Sequence, residues 1–187
     1  LEAEKEAIEN NVIYRNAFEW RFEFPEVLNN KGEFEGFDVV IGNPPYFSLS
    51  KIKEHGNYFQ NTGYQTYSKG SDIYCLFYEK GSQILKSEGL ITFITSNSWL
   101  RSIYGDLLKK FFIQNLQPLS LLNIEDIQVF EEATVESNII TLRKLKDNAP
   151  FRVANLAGDY VIGSSLFDYF KENSFEFIIP ETSEWSI

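Results

Sequence analysis

The chain has 187 residues and a formal net charge of −10 at pH 7, and it is 43% hydrophobic, 16% aromatic and 24% charged. This composition is typical of one globular domain with a real core, and it excludes wholesale disorder and fibrous repeats. No apolar run approaches the roughly 18 residues that a membrane span needs, and the first residues do not form a secretory signal. We therefore expect no membrane association and a reducing cytoplasm.

Rare residue types limit the possible chemistry. The single cysteine, Cys75, has no partner for an internal disulfide, and the single histidine, His55, leaves no histidine-based metal cluster. The sequence therefore predicts no metal site. Methionine is absent, even at the start, which favours the interpretation that the chain is part of a longer protein.

The charge is unevenly distributed along the chain. Residues 39–120 carry 8 Lys and Arg against 5 Asp and Glu, a net charge of +3. The residues on either side together carry a net charge of −13, which gives the total of −10. Such an acidic chain does not fit a free-standing nucleic-acid binder, because Lys and Arg supply most of the affinity for phosphates. We interpret the lysines of the middle as solvated surface residues, namely Lys51, Lys53, Lys109 and Lys110.

The first predicted elements lead into a buried strand. Residues 2–16 permit an exposed polar helix, and residues 18–24 alternate aromatic and polar side chains as a half-buried strand does. Residues 37–41 form a β-branched run without alternation, which predicts a parallel strand covered on both faces. Residues 47–70 have no sustained periodicity and predict a long loop.

A helix is predicted after this loop. Ser71 and Asp72 can cap it, its apolar positions run from Tyr74 to Leu85 at helical spacing, and it closes at Gly89. In this interpretation Asp72 is a helix cap and Tyr74 is a core aromatic.

The second half continues the alternation of strands and helices. Residues 90–95 predict a buried strand, and residues 102–115 predict a second helix with Lys109 and Lys110 off its apolar side. The apolar side of that helix holds Ile103, Leu107, Leu108, Phe111 and Phe112. Further strands are predicted over residues 119–124, 138–145, 151–156 and 175–179. This order is the signature of an α/β sheet, with a boundary near residues 148–150.

The informative segment follows the strand over residues 37–41 and consists of Asn43, Pro44, Pro45 and Tyr46, called the NPPY segment below. Open α/β sheets bind their ligands at this end of their strands. Pro44 keeps Asn43 out of the helical region, and the two prolines fix the backbone and remove two N–H donors. The Asn43 side-chain oxygen and the Pro44 carbonyl can then accept both protons of one planar NH2 group, while the Tyr46 ring stacks on its carrier.

This arrangement suits the activation of an amine. An exocyclic amine such as adenine N6 is a weak nucleophile, because its lone pair is delocalised into the ring. Two acceptors on its protons favour a pyramidal nitrogen and stabilise the positive charge that develops as the nitrogen attacks a carbon electrophile. No histidine base is required, since the proton can leave after transfer. The alternative interpretation is a simple turn that ends the strand.

The run from Phe37 to Tyr46 resembles motif IV of the S-adenosylmethionine-dependent amino-methyltransferases, specifically the N6-adenine DNA methyltransferases of fused restriction-modification enzymes. The segments around it follow the family's order. Residues 18–28 are similar to the lead-in to motif IV, residues 71–74 to motif V, residues 89–100 to motif VI and residues 129–142 to motif VIII.

The resemblance implies a partial Rossmann-like methyltransferase sheet with flanking helices, in an α/β chain. Residues 1–149 would be the C-terminal part of a catalytic domain, and residues 150–187 the start of a linker or target-recognition region. The implied activity is transfer of a methyl group from S-adenosylmethionine to adenine N6 in DNA, within a bacterial or archaeal restriction-modification protein.

The resemblance also implies roles for individual residues. Asn43, Pro44, Pro45 and Tyr46 would be catalytic. Tyr46 and Phe130 would also bind the substrate, an adenine flipped out of double-stranded DNA, because N6 is hidden by pairing inside the duplex. A core position is the alternative interpretation of Phe130.

The chain departs from the family in one respect. The family's glycine-rich cofactor motif and the acidic residues that hold the cofactor lie upstream of motif IV, and residues 1–36 contain no such pattern. We therefore expect the target-base half of a site, inactive alone, that needs an N-terminal cofactor-binding part of the same protein. Two alternatives remain: a protein glutamine N5-methyltransferase, which also carries Asn-Pro-Pro-Tyr, and a non-catalytic DNA- or protein-binding module.

Overall fold

A computed structural model of the chain describes residues 23–52, 56–125, 127, 136–145, 147, 149–156, 160–179 and 185. The predicted helix over residues 2–16, most of the predicted strand over residues 18–24, His55 and Phe130 lie outside these residues. The chain divides into two units, Leu1–Gly36 and Phe37–Ile187.

The described part of the first unit contains a tight turn. It follows a short 3-10 helix, Pro25–Val27. The Asn29 side-chain oxygen accepts the backbone N–H groups of Lys31 and Glu33 at 2.8 and 3.0 Å. Gly32 supplies a positive φ of 76°, which a residue with a Cβ rarely adopts. The asparagine and the glycine therefore fix this turn locally.

The second unit is built on a mixed sheet. Its described strands are β1 (Phe37–Gly42), β2 (Leu85–Ser96), β3 (Gln117–Ile124), β4 (Ser137–Arg143), β5 (Phe151–Leu156) and β6 (Phe175–Phe177). Their order across the sheet is β1-β2-β4-β3-β5-β6. β1 is parallel to β2 and β3 to β5, whereas β4 is antiparallel to β2 and β3, and β6 to β5. The predicted α/β fold class is confirmed.

Helices cover the two faces of the sheet unequally. The described helices are α1 (Gly56–Asn61), α2 (Tyr74–Ile84), α3 (Gly105–Asn115) and α4 (Leu166–Asn173). Side chains of α2 and α3 join the larger core on one face, together with Trp99. On the other face, Tyr169 and Phe170 of α4 pack against a smaller cluster of buried side chains, which contains Leu122, Ile124, Ala154 and Leu156.

The prediction for the end of α2 was wrong. The helix stops at Ile84 and the chain enters β2 at Leu85, so Gly89 is a strand residue and not a helix terminus. Its lack of a side chain has another reason. A Cβ on Gly89 would lie 3.0 Å from the carbonyl oxygen of Phe37, because β2 passes close to the backbone of β1 here.

The predicted apolar side of α3 was partly wrong. Ile103 lies before the helix and is 91% exposed, whereas Lys109 is only 4% exposed. The Lys109 ammonium donates to the Leu100 carbonyl oxygen at 3.3 Å and lies 2.9 Å from the Asp106 carboxylate. These partners make burial of the charge tolerable, which the helical pattern alone does not reveal.

The prediction that β1 is covered on both faces was also wrong for the described residues. Val39 and Ile41 point to the same face of β1, being two residues apart, and they are 53% and 77% exposed. β1 is at the edge of the sheet formed by the described strands, and neither side chain belongs to either buried cluster of the described residues.

The predicted loop over residues 47–70 contains α1 and a short 3-10 helix, Leu49–Lys51. Beyond residue 150, β5 pairs with β3, so the chain continues the same sheet. The boundary between residues 149 and 150 stays a prediction. Among the described residues, no helix is long and apolar enough to cross a bilayer.

The start of α3 yields a prediction about stability. A Cβ on Gly105 would lie 1.8 Å from the carbonyl oxygen of Trp99, a backbone atom. We expect Gly105→Ala to lower the free energy of unfolding by about 2 kcal/mol or more, because α3 must move away from the core. Gly70→Ala is the matched control, since a Cβ there meets nothing within 4 Å. Equal urea denaturation midpoints for the two variants would contradict the packing of α3 against Trp99.

Candidate active site at the end of strand β1

The NPPY segment leaves the sheet where β1 ends at Gly42. Asn43 and Pro45 are exposed, Pro44 is buried and Tyr46 is half-buried. The buried proline anchors the segment, and its ring restricts Asn43 to an extended conformation. The asparagine side chain is therefore accessible from solvent on a backbone with little freedom.

The Tyr46 side chain is fixed at two points. Its hydroxyl donates to the carbonyl oxygen of Ile94 at 3.0 Å. Its ring packs edge-on against the ring of Tyr74, with the two ring planes at 90° and their centroids 6.3 Å apart. Burial raises the pKa of Tyr46 to about 12, so the hydroxyl stays a donor at neutral pH. These contacts fix the plane of the Tyr46 ring.

The chain beyond Tyr46 is joined to the residues that precede α2. The Leu49 N–H donates to the Ser71 carbonyl, and the Ile73 N–H donates to the Phe47 carbonyl, both at 2.9 Å. Between them Ser48 and Asp72 form an antiparallel bridge. The NPPY segment is therefore held at both ends, by β1 on one side and by this bridge on the other.

A hydrogen-bonded group of side chains lies behind the bridge. The Tyr104 hydroxyl is 3.0 Å from the Asp72 carboxylate, to which it donates, and 3.0 Å from the Tyr74 hydroxyl. The prediction that Asp72 caps α2 was wrong: the residue before the helix is Ile73, which makes no side-chain cap, and the Asp72 carboxylate faces Tyr104. Tyr74 is fully buried, as predicted for a core aromatic. The sequence carried no signal for Tyr104, which is 30 residues from Tyr74.

Asparagines connect the same end of the neighbouring strands. The Asn97 amide donates to Asn123 at 3.1 Å, and Asn123 donates to Asn155 at 3.0 Å. Asn138 on β4 donates to the Ser96 carbonyl at 3.2 Å. The sequence does show an asparagine near one end of β3, β4 and β5. Only the pairing of β3 with β4 and with β5 brings these three asparagines together.

The remaining predicted residues have simple outcomes. Cys75 is buried in the larger core, as predicted, and burial raises the pKa of its thiol. Phe130 lies outside the described residues, so its contact with a substrate stays a prediction. Within the described ranges, no group of acidic, histidine or cysteine side chains has the arrangement of a metal site.

Two cavities lined by described residues lie away from the NPPY segment. One, of about 290 Å³, is beside the start of α3 and is lined by Arg101, Lys109 and Trp185 among others. The other, of about 240 Å³, is lined by residues that include Glu79 and Lys144. Neither includes Asn43 or Tyr46 in its lining. These two cavities are therefore not the candidate site.

Solved structures show what the fold is. A putative class I S-adenosylmethionine-dependent methyltransferase from Listeria monocytogenes matches 65% of this chain and 37% of its own, with a TM-score of 0.51 and 20% identity. The type ISP restriction-modification enzyme LlaGI, solved as a nuclease-deletion mutant with a DNA substrate mimic, matches 81% of this chain and 15% of its own, with a TM-score of 0.53 and 21% identity. The sheet with its helices is thus similar in fold to the class I methyltransferases.

Sequence comparison defines the family. Residues 2–130 match the Eco57I restriction-modification methylase family, and the chain belongs to it. The type II restriction enzyme and methyltransferase RM.Eco57I of Escherichia coli is 32% identical over 113 residues, which are 58% of this chain and 11% of that protein. A putative type II restriction enzyme and methyltransferase of Methanocaldococcus jannaschii is 32% identical over 128 residues, 68% of this chain and 10% of that protein. The chain spans about a tenth of the length of these relatives.

The raised pKa of Tyr46 yields a prediction about pH. Unfolded tyrosine ionises near pH 10, whereas Tyr46 in the fold does so near pH 12. The stability that Tyr46 contributes is therefore complete below about pH 10 and is lost as the pH rises towards 12. We expect the free energy of unfolding to fall less steeply over this range in Tyr46→Phe, as measured by urea denaturation at a series of pH values. Parallel curves for the variant and the parent would contradict the buried position of this hydroxyl.

Proposed function

We propose that the protein transfers a methyl group from S-adenosylmethionine to adenine N6 in DNA, and that this chain supplies the target-base half of the site. The protein would act within a restriction-modification system of the bacterial or archaeal cytoplasm. The observation that carries the proposal is the exposed Asn43 on a backbone restricted by Pro44 and Pro45, followed by Tyr46, whose ring is held by Ile94 and Tyr74. Membership of a restriction-modification methylase family supports it.

In the proposed reaction the chain's residues act on the amine. The Asn43 side-chain oxygen and the Pro44 carbonyl accept the two N6 protons, which directs the nitrogen lone pair out of the plane of the base. As the methyl group is transferred, positive charge develops on the nitrogen, and the two acceptor dipoles stabilise it without reorganising. One N6 proton then leaves to solvent. Tyr46 stacks on the base, and the resemblance implies that Phe130 packs against the same base.

The base must leave the duplex to reach this site. Extrusion costs a few kcal/mol, which stacking on aromatic side chains offsets. The partner is therefore double-stranded DNA with a flipped adenine. The DNA substrate mimic bound to LlaGI supports a DNA partner for proteins of this fold. Residues 39–120, which include the NPPY segment, carry a net charge of +3, and this supports a DNA partner.

When bound, S-adenosylmethionine would supply the methyl group from its sulfonium, whose S–CH3 bond breaks to leave S-adenosylhomocysteine. Residues 1–36 carry no glycine-rich phosphate or cofactor motif, and we assign none of the residues of this chain to the cofactor. We propose that an N-terminal part of the same protein holds it. The exposed face of Val39 and Ile41 supports this, because a parallel strand is ordinarily covered on both faces.

Protein glutamine methylation is the alternative activity. A glutamine side-chain amide is planar and could occupy the same acceptor pair, so the NPPY segment does not discriminate between the two. The family of the chain favours DNA. A non-catalytic binding module is the third possibility, and it has no need for an accessible Asn43.

The proposal predicts the effect of removing the Asn43 acceptor. In the full-length natural protein, Asn43→Ala should lower the formation of N6-methyladenine by roughly 100-fold or more, the size of effect seen when one preorganised polar group is removed from a transition state. Quantification of methylated nucleosides by mass spectrometry measures this. Asn61→Ala, another exposed asparagine on α1, is the matched control and should retain activity. Retained methylation in Asn43→Ala would remove Asn43 from the mechanism.

A second prediction tests the division of the site. Titration of residues 1–187 with S-adenosylmethionine in a calorimeter should give no heat of binding, because the cofactor-binding residues would lie in the N-terminal part. The full-length protein should bind. Micromolar binding by residues 1–187 alone would contradict the assignment of the chain to the target-base half.

A further inference from the structure

The Tyr104 hydroxyl contacts both Asp72, which is bridged to Ser48, and Tyr74, which packs against the Tyr46 ring. It lies 3.0 Å from the Asp72 carboxylate and 3.0 Å from the Tyr74 hydroxyl. Tyr104 itself is half-buried and immediately precedes α3. A single oxygen atom therefore contacts one residue of the bridge after Tyr46 and one residue that supports the Tyr46 ring.

The contact with Asp72 acts on the backbone of the segment. Asp72 is paired with Ser48, which is two residues beyond Tyr46, and hydrogen bonds flank this pair on both sides. A displacement of Asp72 would thus be transmitted to Phe47 and Ser48. They lie three and four residues beyond Pro44, whose carbonyl oxygen forms the acceptor pair together with the Asn43 side-chain oxygen. The Tyr104 hydroxyl is the side-chain donor that fixes the Asp72 carboxylate in this position.

The contact with Tyr74 acts on the ring. Tyr74 is fully buried, and its ring meets that of Tyr46 at 90° with centroids 6.3 Å apart. Its hydroxyl bond to Tyr104 holds the far end of the Tyr74 ring and so limits tilting of the ring. The plane of Tyr46 therefore depends on the same oxygen as the bridge.

The protons of this group have a single arrangement. A carboxylate can only accept, so the one proton of Tyr104 goes to Asp72 and Tyr74 must donate to Tyr104. Burial raises the pKa of Tyr104 to about 12 and raises that of Tyr74 as well, so both hydroxyls keep their protons at neutral pH. The hydrogen bonds therefore run in one direction, from Tyr74 through Tyr104 to Asp72, and their donors and acceptors do not change near neutral pH.

We propose that Tyr104 is a positioning residue for the methyl transfer, holding the acceptor pair and the Tyr46 ring in register through its hydrogen bonds to Asp72 and Tyr74. The proposal rests on the proposed function, because it assigns Tyr104 to the same site. It touches neither the base nor the cofactor. It acts on the geometry with which Asn43 and Tyr46 meet the amine, to which the rate of transfer is sensitive.

The test is the variant Tyr104→Phe in the full-length natural protein, which removes the hydroxyl and keeps the ring. We expect kcat for DNA methylation to fall about tenfold, since a misplacement of about 1 Å can cost about 100-fold, while KM for DNA changes less than about twofold. Tyr160→Phe is the matched control. It removes a hydroxyl that donates to the Ser164 carbonyl away from the site, and it should leave both constants unchanged.

A double-variant cycle separates positioning from mere stabilisation. Asp72→Ala, which removes the acceptor of the Tyr104 hydroxyl, should lower kcat to a similar extent. Asp72→Ala with Tyr104→Phe should be no slower than the slower single variant by more than about twofold, because both changes break the same series of hydrogen bonds. A double variant that instead showed the product of the two single decreases in kcat would overturn the proposal. So would a Tyr104→Phe protein with a lowered melting temperature and the parent kcat, which is the result expected of a residue that only stabilises the fold. If Tyr104→Phe does not fold, Tyr74→Phe removes the other hydroxyl of the chain and decides in the same way.

Asn43→Ala measured in the same assay distinguishes the two proposals. If Asn43→Ala keeps its activity, the proposed function fails. If Asn43→Ala is inactive and Tyr104→Phe has the parent kcat, the proposed function stands and the positioning role of Tyr104 is overturned.

Discussion

The fixation of a short acceptor segment at the tip of a parallel strand is the constraint on which the candidate site depends. An asparagine oxygen and a proline carbonyl can accept both protons of one planar amine only if the backbone between them does not move. Pro44 is buried, Tyr46 is bonded to Ile94 through its hydroxyl, and Ser48 is bridged to Asp72. Each contact comes from a different part of the chain, so the core of the sheet and the geometry of the site are formed together.

The candidate site could be proposed from the sequence more readily than the contacts around it could be predicted. Two prolines after a β-branched strand restrict the backbone by their own covalent geometry, so the NPPY segment could be identified locally, and β1 and β5 lie where the hydrophobic runs indicated. The burial of Lys109 and the position of Gly89 could not be predicted, because they follow from contacts with Leu100 and Phe37, which lie outside the elements that contain them. The same reason hid Tyr104, whose partners are about thirty residues away.

The exposed apolar face of β1 fits the division of labour that we propose. Val39 and Ile41 are hydrophobic residues of a parallel strand that the described helices leave uncovered. If one half of the sheet binds the cofactor and the other half binds the target, the strand between the halves is covered by residues of both halves. The acceptor segment is attached to that same strand, so docking of a cofactor-binding part on β1 would bring the methyl donor and the amine acceptor to one edge.

The most direct test of the account is to identify the atom that receives the methyl group. The full-length natural protein would be incubated with methyl-labelled S-adenosylmethionine, duplex DNA and total cellular protein, and the digested products separated by chromatography and mass spectrometry. The account predicts that the label elutes as N6-methyladenine from the DNA. Label recovered on glutamine side chains of protein, with none in the DNA, would contradict it.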